Sequence, residues 1–118
     1  MKTYLAVFTG SLASRKKSGW DDLDADKRKA IEQAGMQAWG AWMADNEGHI
    51  AFAGGPLGKT KRVSAAGVED ISNAMAGVVA IRAESHEEAA RKFLGHPHFT
   101  IFPGDGVEIM ECLPMPGM

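Results

Sequence analysis

The chain has 118 residues, of which 45% are hydrophobic and 24% are charged. That length suits one folded domain and the composition excludes a disordered chain, so we predict a single domain over residues 1–118. The formal net charge of −2 at pH 7 leaves no basic excess for phosphates or an anionic membrane surface, so we expect neither nucleic acid nor a membrane as a partner.

Cysteine content and hydropathy bear on the cellular compartment. Cys112 is the single cysteine, which excludes an intrachain disulfide and a cysteine-based metal framework. The apolar run at the N-terminus is too short for a signal peptide, and no stretch reaches the about 18 apolar residues that a membrane span needs. These features favour a cytoplasmic protein.

The N-terminal part of the chain predicts a strand, a loop and a long helix. Residues 3–9 are apolar on both alternating sides, which is typical of a central strand. Residues 10–20 are rich in Ser, Gly and Lys without a sustained period and indicate a connecting loop. Apolar residues at helical spacing predict a helix over residues 24–46, with Asp22 or Asp24 as its N-cap.

The middle of the chain predicts three strand segments. One begins at His49 and is interrupted by a Gly-Gly-Pro bend at residues 54–56. Residues 61–65 are its expected partner in a hairpin, and residues 68–75 show no period, which indicates a loop or a single helical turn. The β-branched run at residues 78–83 predicts a second inner strand.

The last third predicts a short helix and a closing strand. Ser85 and Glu88 have the spacing of a capping box, and the helix that follows should end at Gly95 after about ten residues. Turn residues at 103–106 then precede an alternating strand over residues 107–113.

The order β, long α, two β segments, β, short α, β is that of a split βαβ unit. We therefore predict an α+β, ferredoxin-like fold with an antiparallel sheet. Both helices would lie on one face, yet both inner strands are apolar on both sides. A second copy packed sheet to sheet would cover the other face, so we predict a homodimer with a barrel-like interior.

Four short motifs occur in a characteristic order: Gly54-Gly55-Pro56-Leu57, Ala83-Glu84-Ser85-His86-Glu87-Glu88-Ala89, His96-Pro97 and Val107-Glu108-Ile109. Over residues 30–113 the chain thereby resembles the YCII-related, DGPF-type proteins. The resemblance implies a dimeric α/β-barrel. In one branch of that family it also implies an active site with a histidine on the first helix and an Asp-Pro pair after the second; here the latter position holds His96 before Pro97.

The triplet His96-Pro97-His98 is the strongest candidate for chemistry, because residues i and i+2 of an extended segment point to the same side. Either histidine could serve as a catalytic acid–base. The residues that could supply a third metal ligand are His49, Asp70, Asp105 and Glu108. Their spacing singles out none, so we predict no metal. The alternative is that His96 ends the preceding helix as an imidazolium favoured by the helix dipole.

Trp39 and Trp42 stand three residues apart on the long helix and either pack in the core or line an apolar cavity between helix and sheet. Trp39, beside the apolar stripe, is the better placed for a cavity mouth. We add His49, at the start of a predicted strand, and Asp70 and Asp105, in predicted loops, as candidate ligand-pocket residues. The glycine-rich segment 54–60 lacks the spacing of a phosphate-binding loop, and we predict no cofactor.

Together these observations predict a small-molecule-binding or accessory protein that forms a homodimer. An enzymatic alternative is a cofactor-independent lyase or isomerase that uses His96 or His98 as an acid–base. A third interpretation is an interaction module whose only apolar surface is the dimer interface. A pocket that contains an oriented histidine would favour the first two.

Overall fold

In a computed structural model, which describes residues 1–117, the chain forms a four-stranded antiparallel sheet and a separate two-stranded ribbon. The strands are β1 (Lys2–Thr9), β2 (Ile50–Pro56), β3 (Thr60–Ser64), β4 (Gly67–Ile71), β5 (Met75–Ala83) and β6 (Gly106–Glu111). The sheet has the order β2-β5-β1-β6, and β3 pairs with β4 in the ribbon. This order and the antiparallel pairing confirm the predicted ferredoxin-like α+β fold, with β1 and β5 as the inner strands.

The helices are α1 (Leu12–Ser18), α2 (Ala25–Asp45), α3 (His86–Arg91) and α4 (Pro97–Thr100). Short 3₁₀ turns follow α1 at Trp20–Asp22 and α2 at Glu47–His49. The long helix α2 has nearly the predicted bounds, because Asp24 caps it by accepting a hydrogen bond from the Lys27 amide. Among residues 1–117, no helix has the length and apolar character needed to cross a membrane.

One face of the sheet carries the core. Strand alternation directs Tyr4, Ala6 and Phe8 of β1 towards the helices, beside Val79 and Ile81 of β5. The helices and the segment that follows α3 contribute Trp39, Trp42, Ala89 and Phe93. Each large apolar side chain that is fully buried here stabilises the fold by about 1.5–3 kcal/mol, so this face fixes the helices on the sheet.

The opposite face of the sheet is apolar as well. Leu5 and Val7 of β1 lie beside Ala80 and Val78 of β5, on the side that points away from the core. Phe52 of β2 pairs with Ala80 and is 60% exposed. A single copy therefore leaves apolar surface accessible on this face, which is the face that the sequence predicts a second copy to cover.

The prediction of a loop over residues 10–20 is wrong, because helix α1 occupies most of this segment. The Ser11 side chain accepts a hydrogen bond from the Ser14 amide, and Gly19 closes the helix in the left-handed conformation with φ of 73°. No residue of α1 is buried, so the segment lacks the apolar period by which a helix is recognised in a sequence.

The hairpin also differs from the prediction. β3 pairs with β4 rather than with β2, and β4 takes up much of the segment 68–75 that the sequence predicts as a loop or helical turn. Opposite charges stand across the ribbon, Lys61 beside Asp70 and Arg62 beside Glu69. Nearly all ribbon residues are exposed, so burial imposes no alternating pattern on their sequence.

The segment after β5 is the third difference. Ser85 caps α3 as predicted, but α3 ends at Arg91 after 6 residues, shorter than the about ten expected. Pro97 begins a further helix, α4, and His96 is its N-cap. The His96-Pro97-His98 triplet is therefore not extended, and both of its histidines are buried.

Candidate functional site

Two cavities open beside each other at one end of the sheet. The first, the apolar cavity, has a volume of about 320 Å³, and its largest side chains are Phe8, Met36, Trp39, His98 and Phe102. The second, the polar cavity, has a volume of about 640 Å³ and includes Ser11, Arg15, Ser72, Asn73 and again His98 and Phe102. His98 and Phe102 thus mark the boundary between an apolar and a polar compartment.

The ring of His98 is held in one orientation. Its Nε2 atom lies 2.7 Å from the carbonyl oxygen of Thr9, so Nε2 carries a proton and donates it to that oxygen. In the neutral ring the lone pair is then on Nδ1, which forms no hydrogen bond within residues 1–117 and is not fully buried. A basic nitrogen is thereby available at the boundary of the two cavities.

Gly104 packs directly against the His98 ring. Its amide donates a hydrogen bond of 3.0 Å to the main-chain oxygen of His98. A Cβ atom at position 104 would overlap Nε2, Cδ2 and Cε1 of that ring. Only glycine lets the main chain approach the imidazole this closely, so Gly104 positions His98.

Phe102 depends on a second glycine. The ring of Phe102 lies against Gly35 of α2, where a Cβ atom would overlap ring atoms Cε2 and Cζ. Gly35 is the one buried residue of α2, although glycine is unfavourable inside a helix. Phe102 is also 6.2 Å from Trp39, measured between ring centroids, and together these rings form the aromatic wall of the apolar cavity.

His96 has a different environment, which we name the aromatic cluster. The ring centroids nearest to His96 are those of Trp39 at 4.5 Å, Trp42 at 4.9 Å, Phe8 at 5.0 Å and Phe93 at 5.8 Å. His96 is 0% exposed and lines neither cavity. It therefore packs in the core and does not reach a bound molecule.

The protonation of His96 follows from its contacts. Its Nδ1 accepts a hydrogen bond of 3.0 Å from the His98 amide, so the proton of the neutral ring is on Nε2, which is buried without a partner in residues 1–117. Burial, and to a lesser extent the nearby His98, lower the pKa of His96 from 6.5 to about 4. The alternative of an imidazolium at a helix C-terminus is wrong, since His96 is a neutral N-cap of α4.

Among the described residues that line the polar cavity, Arg15 is the one with a formal charge. Its Nε atom donates to a carboxylate oxygen of Asp21 at 2.9 Å, which leaves the two Nη groups for other partners. Ser11, at the other end of α1, donates to the carboxylate of Asp105 at 3.1 Å. The polar cavity thus offers hydroxyl, amide and guanidinium groups to a ligand.

The structure brings together two of the residues proposed from the sequence, Trp39 and His98, in the wall of the apolar cavity. Asp105 lies beside the polar cavity through its bond to Ser11 but does not line it. His49 lies in the turn before β2, and Asp70 pairs with a lysine on the exposed ribbon, so neither lines these two cavities.

Three residues of the site are not indicated by the sequence: Arg15, Phe102 and Gly104. Arg15 lies in the segment predicted as a loop, where its basic run suggests ordinary solvated charge. Gly104 belongs to the predicted turn 103–106, but a turn glycine does not by itself indicate contact with a histidine. No group of three or more His, Cys, Asp or Glu side chains that could hold a metal ion occurs within residues 1–117.

This arrangement can bind an apolar ring and transfer a proton. The rings of Phe8, Trp39 and Phe102 exclude water from a molecule in the apolar cavity. Nδ1 of His98 can take a proton from such a molecule, and the carbonyl of Thr9 would stabilise the resulting imidazolium through the Nε2 proton. The site thus places an oriented base, His98, beside an apolar binding surface.

The fold of this chain is shared with solved structures. The chain is similar in structure to 5-chloro-2-hydroxyhydroquinone dehydrochlorinase from Burkholderia phenoliruptrix, solved in complex with 2,5-dihydroxybenzoquinone. The TM-score is 0.50 with 15% sequence identity, over 92% of this chain and 90% of that chain. No family model matches the chain, and no curated protein is similar to it in sequence. The structural similarity shows the fold, that of the dimeric α+β barrel proteins.

Proposed function

We propose that this protein is a cytoplasmic, YCII-related homodimer that binds a small, mostly apolar molecule in the apolar cavity. The observation that carries the proposal is an aromatic cavity of about 320 Å³ with one oriented histidine, His98, in its wall. An engineered cavity of about 150 Å³ suffices for benzene, so this one has room for a substituted or bicyclic ring.

The exposed face of the sheet supports the homodimer. Phe52 and Met110, which pair with Ala80 and Leu5 on that face, are 60% and 42% exposed. An isologous sheet-to-sheet contact would remove this apolar surface from water on both copies at once. The similarity to a protein with the dimeric barrel fold agrees with such a contact.

A second candidate function is acid–base catalysis by a cofactor-independent lyase or isomerase. It is favoured by the His98 geometry, since a base in a water-excluding cavity suits proton abstraction from carbon. The structural neighbour is itself an enzyme that was solved with a quinone bound. An interaction module without a ligand is the third possibility and is the outcome if no small molecule binds.

Binding is tested by titrating the whole protein with 1-naphthol and with 2,5-dihydroxybenzoquinone in a calorimeter. We expect at least one probe to bind, and Trp39→Leu to weaken binding because Trp39 lines the cavity. Trp42→Phe is the matched control on the same helix, since Trp42 packs in the core outside the cavity. Failure of both probes, or equal affinities in wild type and Trp39→Leu, would contradict the proposal.

The enzymatic candidate is tested by proton exchange. We expect the protein to accelerate the exchange of the α-protons of phenylacetaldehyde with D₂O, followed by NMR, and His98→Gln to abolish the acceleration. Glutamine can retain the hydrogen bond to Thr9 but supplies no base. Equal exchange rates in the two proteins would exclude His98 as a base and leave binding as the function.

A further inference from the structure

We propose that the ligand is a ring compound with a carboxylate group, whose ring occupies the apolar cavity and whose carboxylate binds Arg15 in the polar cavity. This inference rests on the proposed binding function and adds the chemical class of the ligand. It follows from how the two cavities join and from the charge on their walls.

The two cavities adjoin each other, and we infer that one molecule can occupy both. Ala76, His98 and Phe102 line both of them, so a molecule that passes this boundary contacts both compartments. The space is therefore shaped for a molecule with one apolar end and one polar end. His98 lies where the two ends meet.

Electrostatics decides what the polar end must be. Arg15 is the one Asp, Glu, Lys or Arg side chain that lines the polar cavity, and the other polar side chains there are Ser11, Ser72, Asn73 and His98. The carboxylate of Asp105 is hydrogen-bonded to Ser11 but lies outside this wall. Asp21 pairs with Nε of Arg15 only, so its Nη donors and the neutral donors of the wall remain complementary to an anion.

The guanidinium geometry favours a carboxylate in particular. Asp21 engages Nε of Arg15 and holds the side chain from one side, at 2.9 Å. The two Nη groups remain, and a guanidinium can bind a carboxylate through two parallel hydrogen bonds. Arg15 is on α1, whose ends are fixed by the Ser11 cap and by Gly19, so its position is defined by regular structure.

The orientation of the ligand follows from desolvation. An anion in the apolar cavity would lose its hydration without a charged partner, because the side chains there are apolar apart from His98. The carboxylate must therefore point into the polar cavity, with the ring against Phe8, Trp39 and Phe102. His98, which lines both cavities, would then lie beside the part of the ligand where ring and carboxylate meet.

The test compares 1-naphthoate with its neutral analogue 1-naphthamide by calorimetry on the whole protein. We expect naphthoate to bind about tenfold more tightly than naphthamide, which is the size of one charge-assisted contact at a half-exposed arginine. Arg15→Met should remove this preference by weakening naphthoate binding more than naphthamide binding, and Arg15→Lys should retain part of it. Lys16→Met is the matched control, because Lys16 is on the same helix but lines neither cavity.

The outcomes separate this inference from the proposed function. Equal affinities for naphthoate and naphthamide, unaffected by Arg15→Met, would overturn the carboxylate inference and leave ring binding intact. The same would follow if Lys16→Met weakened naphthoate binding as much as Arg15→Met, since the effect would then be one of net charge. If neither compound bound, the proposed function itself would fail.

Discussion

His96 and His98 are two residues apart in the chain, yet they belong to regions of opposite character. His96 lies in the aromatic cluster, 0% exposed and enclosed by four rings, with a pKa lowered to about 4. His98 is 8% exposed and lies at the boundary of the two cavities, with Nδ1 unbonded within residues 1–117. Residue type and spacing therefore do not assign a role, since packing makes one histidine structural and leaves the other available.

The two regions are nevertheless coupled. The His98 amide donates to Nδ1 of His96, so the structural histidine fixes the main chain that carries the other. His96 caps α4 in this way, and the Thr9 carbonyl and Gly104 then fix the His98 ring. Phe8 and Trp39 also belong to both regions. Damage to the aromatic cluster should therefore reach the cavities, whereas a change at His98 or Gly104 should leave the cluster folded.

The largest expected effect is that of His96→Ala. We expect this substitution to lower the free energy of unfolding by about 3 kcal/mol, because it empties a packed site among four rings and removes the cap of α4. His98→Ala, beside existing cavities, should cost less than half as much while it abolishes proton exchange. Urea denaturation of both variants measures the difference, and equal losses would contradict the distinction between the regions.

Lowering the pH should destabilise the aromatic cluster through protonation of His96. The pKa of His96 is lowered from 6.5 to about 4, so the unfolded chain takes up this proton first. Above pH 6.5, His96 is neutral in both the folded and the unfolded chain, and the free energy of unfolding has its full value. As the pH falls to about 4, the free energy of unfolding decreases by roughly 3 kcal/mol in total. Urea midpoints measured between these pH values should fall less steeply in His96→Asn, which retains a capping side chain. An unchanged slope in that variant would show that His96 does not titrate in this way.

A smaller effect, confined to the cavities, is expected for Gly104→Ala. The new Cβ would displace the His98 ring, so the affinity for 1-naphthol should fall about tenfold, which corresponds to the loss of one hydrogen bond or contact. The free energy of unfolding should decrease by about 1–3 kcal/mol. Gly106→Ala is the matched control, because a Cβ at position 106 meets nothing within 4 Å. Equal binding by the two variants would show that the position of His98 does not matter to the ligand.

The smallest effect separates two glycines of α2. Gly35→Ala should lower stability by about 1–2 kcal/mol and reduce the apolar cavity, since its Cβ would push Phe102 away. Gly40→Ala should instead raise stability by up to about 1 kcal/mol, because its Cβ meets nothing within 4 Å and alanine favours the helix. Thermal denaturation of both variants measures the change in stability. A change of the same sign in both variants would contradict the contact between Gly35 and Phe102.

The parts of the fold that could be predicted are those whose burial is periodic. Residues 3–9 and 78–83 are apolar on both sides, and they form the inner strands β1 and β5. The parts that were mispredicted, α1 and the ribbon of β3 and β4, contain almost no buried residues. Their structure comes from caps, from a left-handed glycine and from cross-strand ion pairs, none of which produces an apolar period.

The candidate site was predictable only in part. Trp39 and His98 could be proposed because aromatic and imidazole side chains are the usual components of pockets. Arg15, Phe102 and Gly104 come from three separate segments, and the fold alone brings them to the two cavities. The roles of Gly35 and Gly104 depend on the absence of a side chain at a contact that forms between distant segments.

The fold class, the inner strands, the long capped helix and the segment that contains the two histidines can all be predicted from the amino-acid sequence. These features depend on local propensity and on alternating or helical apolar patterns, which neighbouring residues encode. That His96 is neutral and packed while His98 lies at the boundary of two cavities becomes evident only in the folded chain. The physical reason is that the protonation and accessibility of a side chain depend on atoms that distant parts of the chain supply.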